Sequence, residues 1–173
     1  VARLNLSSDP SGFHRVAEGS VAYARFFDTG TMASMDGLLH RVKVFVFTRS
    51  GEDVRYLFLR HRPKREAFWG PIEGPILPSE GLELAACRRV HDEIGIERPL
   101  ALVDLRIAER WTLPQENVVE WAYGYGVEAG VEPRRLASGV SEWRWDGFDA
   151  AFRSMELDAN REAILRLHLL LTS

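Results

Sequence analysis

Arg89, Asp92 and Glu93 fall at spacings i, i+3 and i+4 in the run CRRVHDEIGI. On a helix such residues are neighbours. Two adjacent carboxylates on a rigid helical face can hold a divalent cation, and Mg²⁺ takes oxygen ligands and bridges to phosphates. The same spacing also fits a solvated face with Arg88–Asp92 and Arg89–Glu93 ion pairs, each worth only ~0.3–0.5 kcal/mol. Upstream, residues 60–65 (RHRPKR) are the densest basic run, and a guanidinium there could grip phosphate bidentately. Of the five tryptophans, core packing accounts for most, and one could stack on a nucleobase or a pterin ring.

The elements that must position these groups are legible from period and punctuation. Residues 41–47 (RVKVFVF) read as a strand, Ser50-Gly51-Glu52-Asp53 as a turn, and residues 54–61 as the returning strand of a hairpin. A loop over 62–68 and a Gly/Pro-rich run over 69–79 lead to a helix over 80–94. Ser79 is its expected N-cap, and Glu80 suits the positive helix end. Leu82, Ala85, Ala86, Val90 and Ile94 form its buried stripe, and Gly95 ends it. Strands over 100–111 and 118–127, a short strand over 141–145, and helices over 147–155 and 160–171 complete the order. That order implies an α/β (α+β) fold with a mixed β-sheet carrying helices on its faces. Residues 1–36 read as an irregular extension, with 21–27 a candidate strand, and residues 37–173 as the domain.

The chain has 173 residues, of which 46% are hydrophobic and 27% charged, which suits one globular domain and excludes collagen, coiled coil and wholesale disorder. The net charge of -3 argues against a general polyanion binder, so no nucleic-acid partner is expected. Cys87 is the single cysteine, which leaves no intrachain disulfide and no Cys-based zinc site. The first twenty residues lack an apolar signal core, and residues 163–171 are too short for a bilayer and are interrupted by Arg166 and His168. A soluble cytoplasmic protein without a membrane partner is the expectation.

The stretch from Trp69 to Ile96, WGPIEGPILPSEGLELAACRRVHDEIGI, resembles the Nudix box, G-x5-E-x7-R-E-U-x-E-E-x-G-U, with U a bulky aliphatic. Gly74, Glu80, Arg88, Val90, Glu93, Gly95 and Ile96 match without gaps, and Trp69-Gly70 matches the upstream Trp-Gly of many members. The box is degenerate. Arg89 stands where the family has a metal-binding Glu, Asp92 replaces the first Glu of the Glu-Glu pair, and the loop Glu is Leu77. A guanidinium cannot bind a cation and cannot serve as a base near neutral pH.

The resemblance implies a Nudix-type α/β/α sandwich with a mixed β-sheet. It also implies a pyrophosphohydrolase acting on a nucleoside triphosphate or nucleoside-diphosphate-linked compound, slowed by Arg89. The other class it leaves open is an inactive Nudix-like nucleotide-binding or interaction domain. Mg²⁺ or Mn²⁺, weakly bound, is the implied cofactor, with Asp92, Glu93 and Glu73 as ligands. Glu93, Asp92 and Glu120 are the catalytic candidates, and Arg60, Arg89 and Trp121 the substrate-binding ones. The implied partner is a small-molecule nucleotide or related diphosphate, with a homodimer left open. Residues 160–164 after Glu142-Trp143-Arg144-Trp145 resemble, more loosely, pyrophosphatases acting on dihydroneopterin triphosphate or dATP.

Overall fold

The computed structural model describes residues 2–3, 38–62, 68–113 and 116–173. Among these, eight strands form one sheet: β1 (Ala2–Arg3), β2 (Leu38–Ser50), β3 (Asp53–His61), β4 (Phe68–Gly70), β5 (Ile72–Pro75), β6 (Ala101–Leu113), β7 (Glu116–Val127) and β8 (Val140–Gly147). The helices are α1 (Leu82–Ile94), α2 (Phe148–Ser154) and α3 (Asp158–Thr172). The main path runs β1-β6-β7-β2-β3-β4, with β5 on β2 and β8 on β3. β1 pairs with β6, and β2 with β7, in parallel, while every other pair is antiparallel. The sheet is therefore mixed, as the element order implied.

The alternation in RVKVFVF builds both layers. Val42, Val44 and Val46 pack with Ala85, Ala86, Val90 and Ile94 of α1. Phe45 and Phe47 point the other way, into a second core with Ala151 and Met155 beside Ala163, Ile164, Leu167 and Leu171 of α3. A strand sends successive side chains to opposite faces, so one β-branched and aromatic segment serves two cores. The α/β/α sandwich follows.

Several expectations shift. The helix expected over 80–94 starts at Leu82, with Gly81 as an N-cap that offers no side-chain bond. Ser79 instead sits in a turn at φ 64. Glu80 turns back, and its carboxylate accepts the Leu77 N–H at 2.9 Å. Leu82 is only partly buried, because it lies at the first turn where the helix has not fully reached the core. The run over 69–79 hides β4 and β5. Its glycines and prolines conceal strand pattern, and the pairing comes from β3 and β2 rather than from local propensity. β6 carries a register shift between Asp104 and Ala108, where Arg106 adopts φ 54 and its N–H reaches Asp104 Oδ1 at 2.8 Å. The candidate strand over 21–27 and most of the extension over 1–36 lie outside the described residues, as do residues 63–67, which include the second half of the basic run.

Candidate functional site

The last turns of α1 are fixed from both ends. At the C-terminus Gly95 takes the left-handed conformation at φ 73, and its N–H caps His91 O. The Arg134 N–H reaches Ile94 O and the Ala137 N–H reaches Glu93 O, both at 2.9 Å. On the other side the β5 strand lies along the helix. Arg88 and Arg89 make the lateral ties.

Arg88 is saturated. Its Nε donates to Glu80 Oε1 at 2.7 Å, its Nη2 to Glu80 Oε2 and Pro75 O at 2.9 Å each, and its Nη1 to Asp92 Oδ2 at 3.2 Å. The Arg88 bond holds the buried Glu80 carboxyl below the usual carboxylate range, against the opposing effect of burial. Arg89 differs. Its Nη2 donates to the main-chain oxygen of Glu73 at 3.0 Å and to the Glu93 carboxylate, while its buried Nε has no partner among the described residues. The guanidinium lies over Gly74, where a Cβ would stand 2.1 Å from Nε. Only glycine admits this side chain.

A second group occupies the α3-side face of the sheet, set by strand alternation. Glu120 on β7 is opposite Arg41 on β2 and Glu109 on β6, and Lys43 is opposite Glu73 on β5. Lys43 Nζ lies 2.9 Å from Glu120 and 3.3 Å from Glu109, and Arg41 Nε lies 3.3 Å from Glu120. Glu120 and Lys43 are each 3% exposed. Arg41 approaches the Glu73 carboxylate more loosely, at 3.9 Å. Burial, then repulsion from Glu120, pushes the Glu73 carboxyl up to about 7, with Lys43 and Arg41 pulling the other way. Burial works against the Lys43 ammonium, but Glu120, Glu109 and Glu73 outweigh it and raise its pKa.

Glu73 joins the two groups, its carbonyl on Arg89 and its carboxyl beside the β2 cations. Asp92 and Glu93 are neighbours on α1 as expected, yet each faces an arginine. Glu120 is neither a free carboxylate nor solvent-facing, and its partners are Arg41 and Lys43. Arg60 stands apart, its guanidinium 2.7 Å from Glu142 on β8. Trp121 packs on the α1 side of the sheet, level with Val42, which in turn is level with Gly74. Its indole N–H points at His40 Nδ1 over 3.5 Å. Sequence reading missed Arg41, Lys43 and Glu109. The available signal was a lysine alternating with valines inside a strand that must be buried on both faces.

The donor set does not fit a resident Mg²⁺ or Mn²⁺. Among the described residues no three acidic, histidine or cysteine side chains converge as a metal site would require. The carboxylates of Asp92, Glu93, Glu120 and Glu73 each face a cation of the chain itself. A fixed guanidinium between Glu93 and Glu73 O excludes a second positive ion at the same point.

The model of the NUDIX domain family matches residues 39–167. A C. elegans Ap4A hydrolase in a binary complex superposes with a TM-score of 0.65 at 14% identity, over 77% of this chain and 97% of that one. The E. coli dihydroneopterin triphosphate pyrophosphohydrolase gives 0.62 at 18% identity, over 76% and 95%. The NUDIX domain of Shewanella oneidensis NrtR, complexed with ADP ribose, gives 0.64 at 15% identity, over 86% and 98%. At these identities the likeness is one of fold. An octanoyltransferase from Myxococcus xanthus is 27% identical over 130 residues, which cover 74% of this chain but only 36% of that protein. Among the described residues no helix is long and apolar enough to cross a membrane.

Proposed function

Because the chain belongs to the NUDIX domain family, we propose that it binds a nucleoside triphosphate or nucleoside-diphosphate-linked compound and hydrolyses it slowly. The observation that carries this reading is the arrangement of Arg89 against the β5 loop. The Arg89 guanidinium of α1 lies over Gly74 of β5, tied to Glu93 and Glu73 O. The family neighbours named for Ap4A, dihydroneopterin triphosphate and ADP ribose support the ligand class.

In this reading Arg89 meets the phosphates, Trp121 lies two strands away on the same sheet face for a ring system, and Asp92 and Glu93 flank the reacting end. A guanidinium neutralises phosphate charge but does not generate hydroxide from bound water. With the carboxylates already paired, proton transfer from water is poorly served, and losing one general base typically costs a factor of ~100 or more. Hence binding outlasts turnover. The test is phosphate and pyrophosphate release from ATP, Ap4A and ADP-ribose with Mg²⁺ present. Wild type should be slow. Arg89→Glu should raise Mg²⁺-dependent release at least about tenfold. A fast wild type to which Arg89→Glu adds nothing would overturn the reading.

A second reading is a NUDIX-type domain without turnover, serving as a binding or interaction part of a larger protein. The partial match to an octanoyltransferase favours it, since the chain spans 36% of that curated relative's length. No release from wild type and Arg89→Glu alike would select it.

A further inference from the structure

We infer that Arg89 is an exchangeable cation, held by the protein when the site is empty and passed to the pyrophosphoryl group of a ligand when it is filled. This rests on the ligand class proposed above and specifies what grips it.

Three features of one side chain carry the inference. The Nη2 of Arg89 serves two acceptors, Glu73 O at 3.0 Å and the Glu93 carboxylate. The adjacent Nε, on the same edge of the guanidinium, is buried without an acceptor among the described residues. Nε, Cδ and Cζ of Arg89 occupy the space that a Cβ on Gly74 would need. Guanidinium bonds best through two parallel N–H groups to two oxygens of one anion. The resting contacts use Nη2 twice and Nε not at all, so they leave the fork half used. A phosphate offers two oxygens at the matching spacing, and once the guanidinium swings off Gly74 to uncover Nε it engages both donors and releases Glu93. Arg88, its sequence neighbour, has no such opening, because Glu80 already fills its fork through Nε and Nη2. No bond is made or broken in the exchange, only hydrogen-bond acceptors.

Two consequences distinguish this from ligand binding through a divalent ion. Binding should not need the ion, and Glu93 should act as a competitor for Arg89 rather than as a ligand holder. Calorimetry on the full chain with inorganic pyrophosphate and with ADP, in EDTA and in Mg²⁺, tests both. Wild-type affinity should agree within about twofold between the two conditions. Arg89→Gln should weaken binding at least about tenfold, and Arg89→Lys should recover only part, since an ammonium cannot offer a fork. Glu93→Gln should bind pyrophosphate as tightly as wild type or tighter. Loss of wild-type binding in EDTA overturns the inference, and that measurement needs no variant. Unchanged binding in Arg89→Gln, or weakened binding in Glu93→Gln, also overturns it while leaving the ligand class standing. Wild type that binds neither probe in either condition overturns the inference together with the reading beneath it.

Discussion

Arg88 and Arg89 are adjacent and chemically identical, yet they do different work. Arg88 is structural: its fork closes on Glu80, a buried carboxylate that also takes the Leu77 N–H. Glu80→Gln should cost about 2 kcal/mol, the usual scale for bonds to a charged group, read from urea unfolding. Its pH dependence follows from the lowered Glu80 pKa. The folded state keeps the charge to lower pH than the unfolded chain does. The Glu80 contribution is therefore complete above the ordinary carboxylate range and disappears as pH falls through the depressed folded value. Wild type should lose stability more steeply than Glu80→Gln on acidification, in thermal melts run below about pH 5. For Arg89 the sharpest probe is its glycine. Gly74→Ala should expel the guanidinium and destabilise by roughly 1–3 kcal/mol through overpacking. In an Arg89→Ala background the same change should cost much less, and additive costs in that double-mutant cycle would show that the two residues do not share the space.

At the scale of elements, α1 is the part that must not move. Its stripe is fully buried at Ala85, Ala86, Val90 and Ile94, and its C-terminus is held by Gly95 and by main-chain bonds from Arg134 and Ala137. Ile94→Ala should cost roughly 2–5 kcal/mol by leaving a cavity beneath the helix. Gly95→Ala should cost about 1 kcal/mol or more, because the residue sits at φ 73 and its Cβ would press on Arg135. Both are expected to loosen Glu93, one residue from Ile94. Native-state hydrogen exchange across residues 88–95 should therefore accelerate in either variant, and unchanged protection would contradict a rigid helical platform.

Across the whole molecule, the cluster of Arg41, Lys43, Glu73, Glu109 and Glu120 ties β2, β5, β6 and β7 into one unit. Buried ion pairs add little net stability over apolar packing, but breaking one leaves an uncompensated charge. Lys43→Met should lower stability by roughly 3–5 kcal/mol, because Glu120 would then be buried with Arg41 as its remaining close cation. Adding Glu120→Leu should restore much of that loss in denaturant titrations. A double variant no better than Lys43→Met would mean that the lysine acts through packing instead.

The order of elements apart from the short strands, the strand character of β2, the stripe of α1 and its Gly95 stop were legible in the residues themselves. Each follows from local period and from backbone freedom, which the chain carries wherever it folds. The neighbouring placement of Arg89, Asp92 and Glu93 was legible for the same reason, since i, i+3 and i+4 positions meet on any helix. What the sequence did not reveal was non-local. β4 and β5 exist because β3 and β2 offer them hydrogen bonds, which glycines and prolines do not advertise. The partners of Glu120 lie 77 and 79 residues earlier on β2, brought close only by parallel pairing. That Glu80 closes a turn, that Glu73 faces two ways, and that Arg89 is seated over Gly74 with half its fork unused were likewise decided in three dimensions. Charge pairing depends on distance and burial, and only the packed sheet sets either.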